Sequence, residues 1–271
     1  MGKLIVFWAP VHGQSKVTSS MSAVSLALGD LTGNSVLMTH TQYGFSALES
    51  LFDFKQGLGN RELYDGSGLS ALVMNFKRSE VTVNTVRRAA TLVEPSESVF
   101  LMSGVERNVG VNTDTDDILY TLITKHVKNA YDYVFVDLAS GRNKLSERLI
   151  KASDVFVVCL TQNMDLWDST LETVKEFNKE NTFYLFTGYR SDSKFSINNL
   201  IKKGRNYGLT TSNTGTIKNN TSFMDAVSEG LVSLFYYRNN KAVKKEHTYE
   251  FINSCQESAR KIQRMIEGGG K

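Results

Sequence analysis

The sequence predicts an α/β protein built on a mostly parallel, doubly wound sheet flanked by helices, and three observations predict it. Six short apolar runs recur along the chain, at 4–9, 35–39, 99–102, 133–137, 155–160 and 183–187. Most of them are continuously apolar rather than alternating, which is the pattern of strands covered on both faces. Segments of helical period lie between them, and strand–helix alternation of this kind marks βαβ winding. The 271 residues, 41% of them hydrophobic, can bury the core of one large α/β domain. That domain is placed at 1–267, with 268–271 as a frayed glycine-rich tail.

The elements follow in order. The run Leu4-Ile5-Val6-Phe7-Trp8-Ala9 reads as a buried strand, and a polar loop carrying Gly13 and Lys16 leads out of it. The helix at 17–28 carries the small residues Ser22, Ala23, Ser25 and Ala27, suited to close packing. After the strand at 35–39, helical patterns occupy 45–54, 68–76 and 82–92. The strand at 99–102 precedes a helix at 115–128. Asp114, Asp116 and Asp117 stand at its start, where acidic residues favour the helix dipole. A strand at 133–137, a helix at 143–151, a strand at 155–160, a helix at 165–176, a strand at 183–187 and a helix at 198–205 continue the alternation. The final helix, 247–266, bears the stripe Phe251, Cys255, Ala259, Ile262 and Ile266, the spacing of a helix packed on a sheet.

Composition narrows the function. A net charge of +3 is too small to argue for nucleic acid. The groups Lys194, Lys202, Lys203, Arg205 and Lys241, Lys244, Lys245 read as solvated helix faces. Cys159 and Cys255 lie far apart in apolar surroundings and read as buried free thiols in a reducing compartment. No secretory leader and no apolar stretch long enough to span a bilayer is read, so the expected location is cytoplasmic. No Ser-His-Asp or paired-carboxylate arrangement stands out.

In sheets of this kind ligands bind at the carboxyl ends of the strands. The loop after the first strand is Pro10-Val11-His12-Gly13-Gln14-Ser15-Lys16-Val17-Thr18. Strand, loop, lysine, helix is how a chain holds a phosphate, through backbone N–H groups, a helix N-terminus and a point charge. Set on its lysine, the pattern G-x-x-x-x-G-K-[ST] finds Pro10 and Ser15 at its glycines and Val17 at the hydroxyl that holds Mg²⁺. Thr18 is one step further, rotated by about 100° on a helix, and is not expected to substitute. Asp137 closes the strand at 133–137. It is a candidate for acting through Mg²⁺ or a water, or for capping the helix that follows.

Together these segments resemble the ParA/MinD family of deviant Walker ATPases over nearly the whole chain. The family's K-G-G-x-G-K-[ST] is matched by Val11 to Val17, its Y-D-[YF]-x-x-x-D by Tyr131 to Asp137, its A-x-D before a strand by Ala152-Ser153-Asp154, and its late D-A-x-x-x-G by Asp225 to Gly230. Within the family the glycine-poor loop looks most like the TadZ/CpaE pilus-assembly branch. The resemblance implies a P-loop fold and ATP or ADP held by Val11, His12, Gly13, Gln14, Ser15, Lys16, Val17 and Thr18. Thr187 then stands where the family reads the base with asparagine, and Lys16 and Asp137 are the catalytic pair. Asp137 is the one remaining metal position, since Val17 has no hydroxyl and His40 and Gln42 replace the family's D-x-D. His40 is expected to be simply hydrogen-bonded. The implied activity is ATPase-like with weak or absent hydrolysis. The implied role is positioning or assembling a membrane-associated machine such as a Tad-type pilus or secretion system. The implied partners are a second copy of the chain, pilus or secretion proteins and a membrane surface or cell pole. A partition ATPase binding nonspecific DNA and a nucleotide-free pseudo-ATPase interaction module stay open beside it.

Overall fold

The computed structural model describes residues 2–43, 46–53, 67–78, 81–105 and 113–268. Eight strands form one sheet in the order β3-β4-β2-β5-β1-β6-β7-β8. They are β1 (Lys3–Trp8), β2 (Val36–His40), β3 (Thr91–Leu92), β4 (Val99–Leu101), β5 (Tyr133–Asp137), β6 (Val155–Leu160), β7 (Thr182–Tyr189) and β8 (Thr214–Lys218). All neighbours are parallel except β3, which runs antiparallel at the edge.

The continuous apolar runs are explained by what covers them. Leu4, Val6 and Trp8 of β1 face one hydrophobic layer, and Ile5, Phe7 and Ala9 face the other. With period two and a core on each side, no position of the strand tolerates water. One layer is closed by α2 (Gly68–Arg78), α3 (Val83–Arg88), α4 (Thr113–Thr121), a π turn at Leu122–Val127 running into α5 (Lys128–Ala130), α6 (Lys144–Ala152), α7 (Trp167–Phe177) and α8 (Ile197–Gly204). The other is closed by α1 (Val17–Thr32), α9 (Thr221–Glu229), α10 (Val232–Asn239) and α11 (Tyr249–Gly268). The small residues of α1 serve close packing: a Cβ on Gly29 would stand 2.5 Å from a methyl of Val99. The A-x-D motif is structural, since Asp154 accepts the Leu4 N–H at 2.8 Å and pairs with Lys128 at 2.6 Å. Burial opposes its charge, but Lys128 and that backbone bond outweigh the penalty and hold its pKa below the usual carboxylate range.

Several expectations are corrected. The helix read at 45–54 is a single 3₁₀ turn at Glu49–Phe52 among the described residues, and part of that stretch lies outside them. The helix read at 82–92 stops at Arg88, and Thr91–Leu92 pair with β4 instead. β8, α9 and α10 were not read from the sequence. β8 is a short edge strand of sequence TGTIK, too polar to show as an apolar run. α11 continues through Gly268, and 269–271 lie outside the described residues. No helix among the described residues is long and apolar enough to cross a membrane. Both cysteines are buried free thiols.

Candidate functional site

The carboxyl ends of β1, β2, β5 and β7 meet at one edge of the sheet. Register sets the central contact: His40 of β2 lies beside Asp137 of β5, and Phe7 of β1 flanks Asp137 on its other side. The loop after β1 is tied down from two directions. Thr187 of β7, itself buried, donates its hydroxyl to the Ser15 carbonyl at 2.7 Å, with the Leu160 carbonyl at 3.1 Å. Trp8 Nε1 donates to the Gly141 carbonyl at 2.8 Å, and the Gly141 N–H to the Ala9 carbonyl at 3.2 Å. Thr187, expected to face a base, is thus committed to the backbone and lines neither cavity described below.

The loop's own geometry changes its register. Gly13 has φ 76°, and Lys16, directly before α1, has φ 46° and ψ 38°. A left-handed residue before the helix is a position that favours glycine. Set on that residue, the family pattern K-G-G-x-G-K-[ST] falls on His12-Gly13-Gln14-Ser15-Lys16-Val17-Thr18. Lys16 then occupies the last glycine, Val17 the lysine and Thr18 the hydroxyl. The side chains agree: Thr18 Oγ1 donates to Asp137 Oδ2 at 2.5 Å. Thr18 thus faces Asp137 although the lysine-based register turned it away, because the helix starts one residue later in the pattern than its lysine implies. His12, not Val11, falls at the family's first lysine.

Thr18, Val17, His12, Gln42, Asp137 and Ser140 line a cavity of about 200 Å³. Asp137 is 1% exposed, and its Oδ1 is buried with no hydrogen-bond partner. Gln42 Nε2 reaches Oδ2 at 3.4 Å. Burial pushes the Asp137 pKa up to about 6, against the opposing bond from Thr18. One carboxylate with a free buried oxygen beside a hydroxyl fits a Mg²⁺ held mostly by water and ligand phosphates. Among the described residues no group of three or more His, Cys, Asp or Glu could hold a metal by itself.

His40 is fully engaged. Its Nε2 lies 2.8 Å from Glu49 Oε1, both side chains being buried, and its Nδ1 accepts the Gln42 N–H at 3.3 Å. The neutral tautomer with the proton on Nε2 satisfies both bonds. Burial raises the cost of the Glu49 charge, but the hydrogen bond from His40, with that of the Gly104 N–H, outweighs it and holds its pKa below the usual value. The Gly104 N–H donates to Glu49 Oε1 at 3.3 Å, and a Cβ at Gly104 would stand 2.1 Å from the His40 ring. Glu49 escaped the sequence reading. Its only signal is one acid inside Leu48-Glu49-Ser50-Leu51-Phe52.

Lys16 reaches toward the end of β8 and α9. Its Nζ lies 3.4 Å from Asn219 Oδ1 and 3.9 Å from Met224 Sδ. It stands between the first cavity and a second of about 310 Å³, lined by Ile217, Asn219, Phe223, Met224 and Phe251 among others. Asn219, at the end of β8, and Met224, on α9, were not read as site residues. The late D-A-x-x-x-G motif marks α9 itself.

No protein-family model matches the sequence, and no curated protein is similar to it at a significant level. Solved structures do match. A ParA family ATPase from Chlorobium tepidum aligns with TM-score 0.69 and 14% identity over 96% of this chain and 99% of its own. The septum site-determining protein MinD of Pyrococcus horikoshii, complexed with Mg-ADP, aligns with TM-score 0.62 and 14% identity over 100% of this chain and 97% of its own. A putative plasmid partition protein of Borrelia burgdorferi, bound to AMPPNP, aligns with TM-score 0.66 and 14% identity over 99% of this chain and 100% of its own. The chain has the fold of the ParA/MinD P-loop ATPases.

Proposed function

We propose that this chain is a ParA/MinD-like nucleotide-binding protein that holds ATP or ADP and hydrolyses it weakly or not at all. The carrying observation is the Thr18–Asp137 bond at the end of β5, with Asp137 Oδ1 left free beside a loop that opens α1. Backbone N–H groups of 12–18 and the start of α1 would face the phosphates. Thr18 and Asp137 would hold Mg²⁺, which neutralises phosphate charge when bound. The solved relatives with Mg-ADP and AMPPNP support the reading.

The hydrolytic half is depleted. Val17 stands where the phosphate-directed lysine belongs, and the neutral His40 is held by Glu49. Gln42 is uncharged. Phosphoryl transfer rests on charge neutralisation and a placed nucleophile, and trans or cis cations alone carry on the order of 10³-fold or more. Nucleotide therefore acts as a structural ligand of a stable homodimer rather than as fuel for a cycle. The role that fits is positioning or assembling a membrane-associated machine, such as a Tad-type pilus or secretion system. Titration of Mg-ADP by calorimetry tests the site. Binding is expected for the wild type and about tenfold weaker for Thr18→Ala. Phosphate release from ATP at the background rate completes the expected result. Absence of heat at millimolar nucleotide overturns nucleotide binding, and release abolished by Asp137→Ala overturns the hydrolytic reading.

A further inference from the structure

Lys16 poses a question that the phosphate site leaves open. It is a lysine in a left-handed conformation, which costs a non-glycine residue about 1 kcal/mol. Among the described residues its ammonium enters no ion pair. It reaches across to Asn219 Oδ1 and Met224 Sδ instead, bonding the loop after β1 to the end of β8 and to α9. The surroundings hold it there. A Cβ at Gly188 would stand 3.3 Å from Nζ, so the side chain runs along the one backbone position in β7 that leaves it room. Lys16 and Ser19 line both cavities, and among the described residues no other lysine or arginine lines the smaller one. The smaller cavity thus has a cation at its edge, turned outward.

We propose that Lys16 is a two-position latch. In the ligand-free protein it ties the loop to Asn219 and α9. A di- or triphosphate in the Thr18–Asp137 cavity draws the ammonium inward, so that Lys16 supplies from the glycine position the charge that Val17 lacks. The outward bond is solvent-exposed and long, so it is weak enough for a phosphate to outcompete. Moving Lys16 also joins the two cavities and frees the start of α9, which makes α9 the element that reports occupancy. The inference takes its ligand from the nucleotide reading above.

The latch makes opposite demands on its two partners. Removing Asn219's amide frees Lys16, so Asn219→Ala is expected to bind ADP about twofold to fivefold more tightly than wild type, the gain from abolishing a weak competing state. Lys16→Met is expected to bind ADP and inorganic pyrophosphate at least about tenfold more weakly. Hydrogen exchange of 219–229 supplies a readout independent of affinity. Exchange rises in ligand-free Lys16→Met, and it rises in the wild type on adding pyrophosphate. Binding with Asn219→Ala unchanged or weaker than wild type overturns the latch alone. So does 219–229 exchange that falls or stays constant in Lys16→Met. If neither ADP nor pyrophosphate binds any variant, the nucleotide reading fails and the inward position fails with it.

Discussion

Asp137 carries the sharpest residue-scale consequence. A carboxyl whose folded pKa is about 6 holds its proton more tightly in the folded chain than in the unfolded one. Protons bound in excess by the native state make stability fall as pH rises, here between about 4 and about 6, and the loss persists above that window. At about 1.4 kcal/mol per pH unit it amounts to roughly 3 kcal/mol at neutral pH. Asp137→Asn keeps an oxygen for Thr18 and removes the charge. Urea denaturation is expected to show the variant more stable than wild type at pH 8 by about 1–3 kcal/mol, with the difference gone near pH 4. A constant difference across that range would place the Asp137 charge elsewhere than in a dry pocket. A buried acid that costs stability is what the proposed Mg²⁺ role of Asp137 requires.

At the scale of elements, the loop between β1 and α1 decides what the site can do. Its left-handed residue is a lysine, and the first helical residue is a valine. Swapping their roles tests the register. In the double variant Lys16→Gly/Val17→Lys, glycine takes the positive φ without strain and the lysine starts the helix facing the cavity. ADP affinity is expected to rise at least about tenfold over wild type, and thermal stability to hold or improve, since a left-handed lysine is relieved. Weaker binding in that variant would restore the register in which Lys16 itself is the phosphate lysine. β2 makes the complementary case. His40 and Gln42 stand where the resemblance places the family's D-x-D, yet His40 is spent on Glu49 and on the backbone of Gln42. The strand end has been turned from a reacting position into a clasp between two loops.

On the scale of the whole molecule, surface charge bears on the choice between the proposed positioning role and DNA partition. The lysines read as solvated faces are partly engaged: Lys203 lies 3.8 Å from Asp168 and stacks over Trp167. A modest net charge of +3 leaves little surplus for phosphate backbones. Binding of nonspecific duplex DNA, measured against salt, is expected to be weaker than micromolar at about 150 mM and insensitive to Lys202→Glu/Lys203→Glu. Micromolar binding with a steep salt slope, lost in that variant, would favour a partition role over positioning of a membrane machine.

The class of fold was legible in the residues because covering a strand on both faces leaves a local mark, the unbroken apolar run. Leu4 to Ala9 and Val155 to Leu160 show it plainly. The edge elements β3 and β8 escaped, since a strand covered less completely has no need of that mark. That the loops after β1, β2 and β5 gather at one end was legible too, because parallel strands place their following loops together. Its inner geometry was not. Which residue of Gly13-Gln14-Ser15-Lys16 turns left-handed depends on how Thr187 and Gly141 hold the loop from distant parts of the chain. Thr18 meets Asp137 across 119 residues and Lys16 meets Asn219 across 203. Spacing along a chain reports helices and strands, because their periods are local. The pairing of side chains across a sheet edge is set by register and backbone dihedrals, and these exist only once the layers have packed.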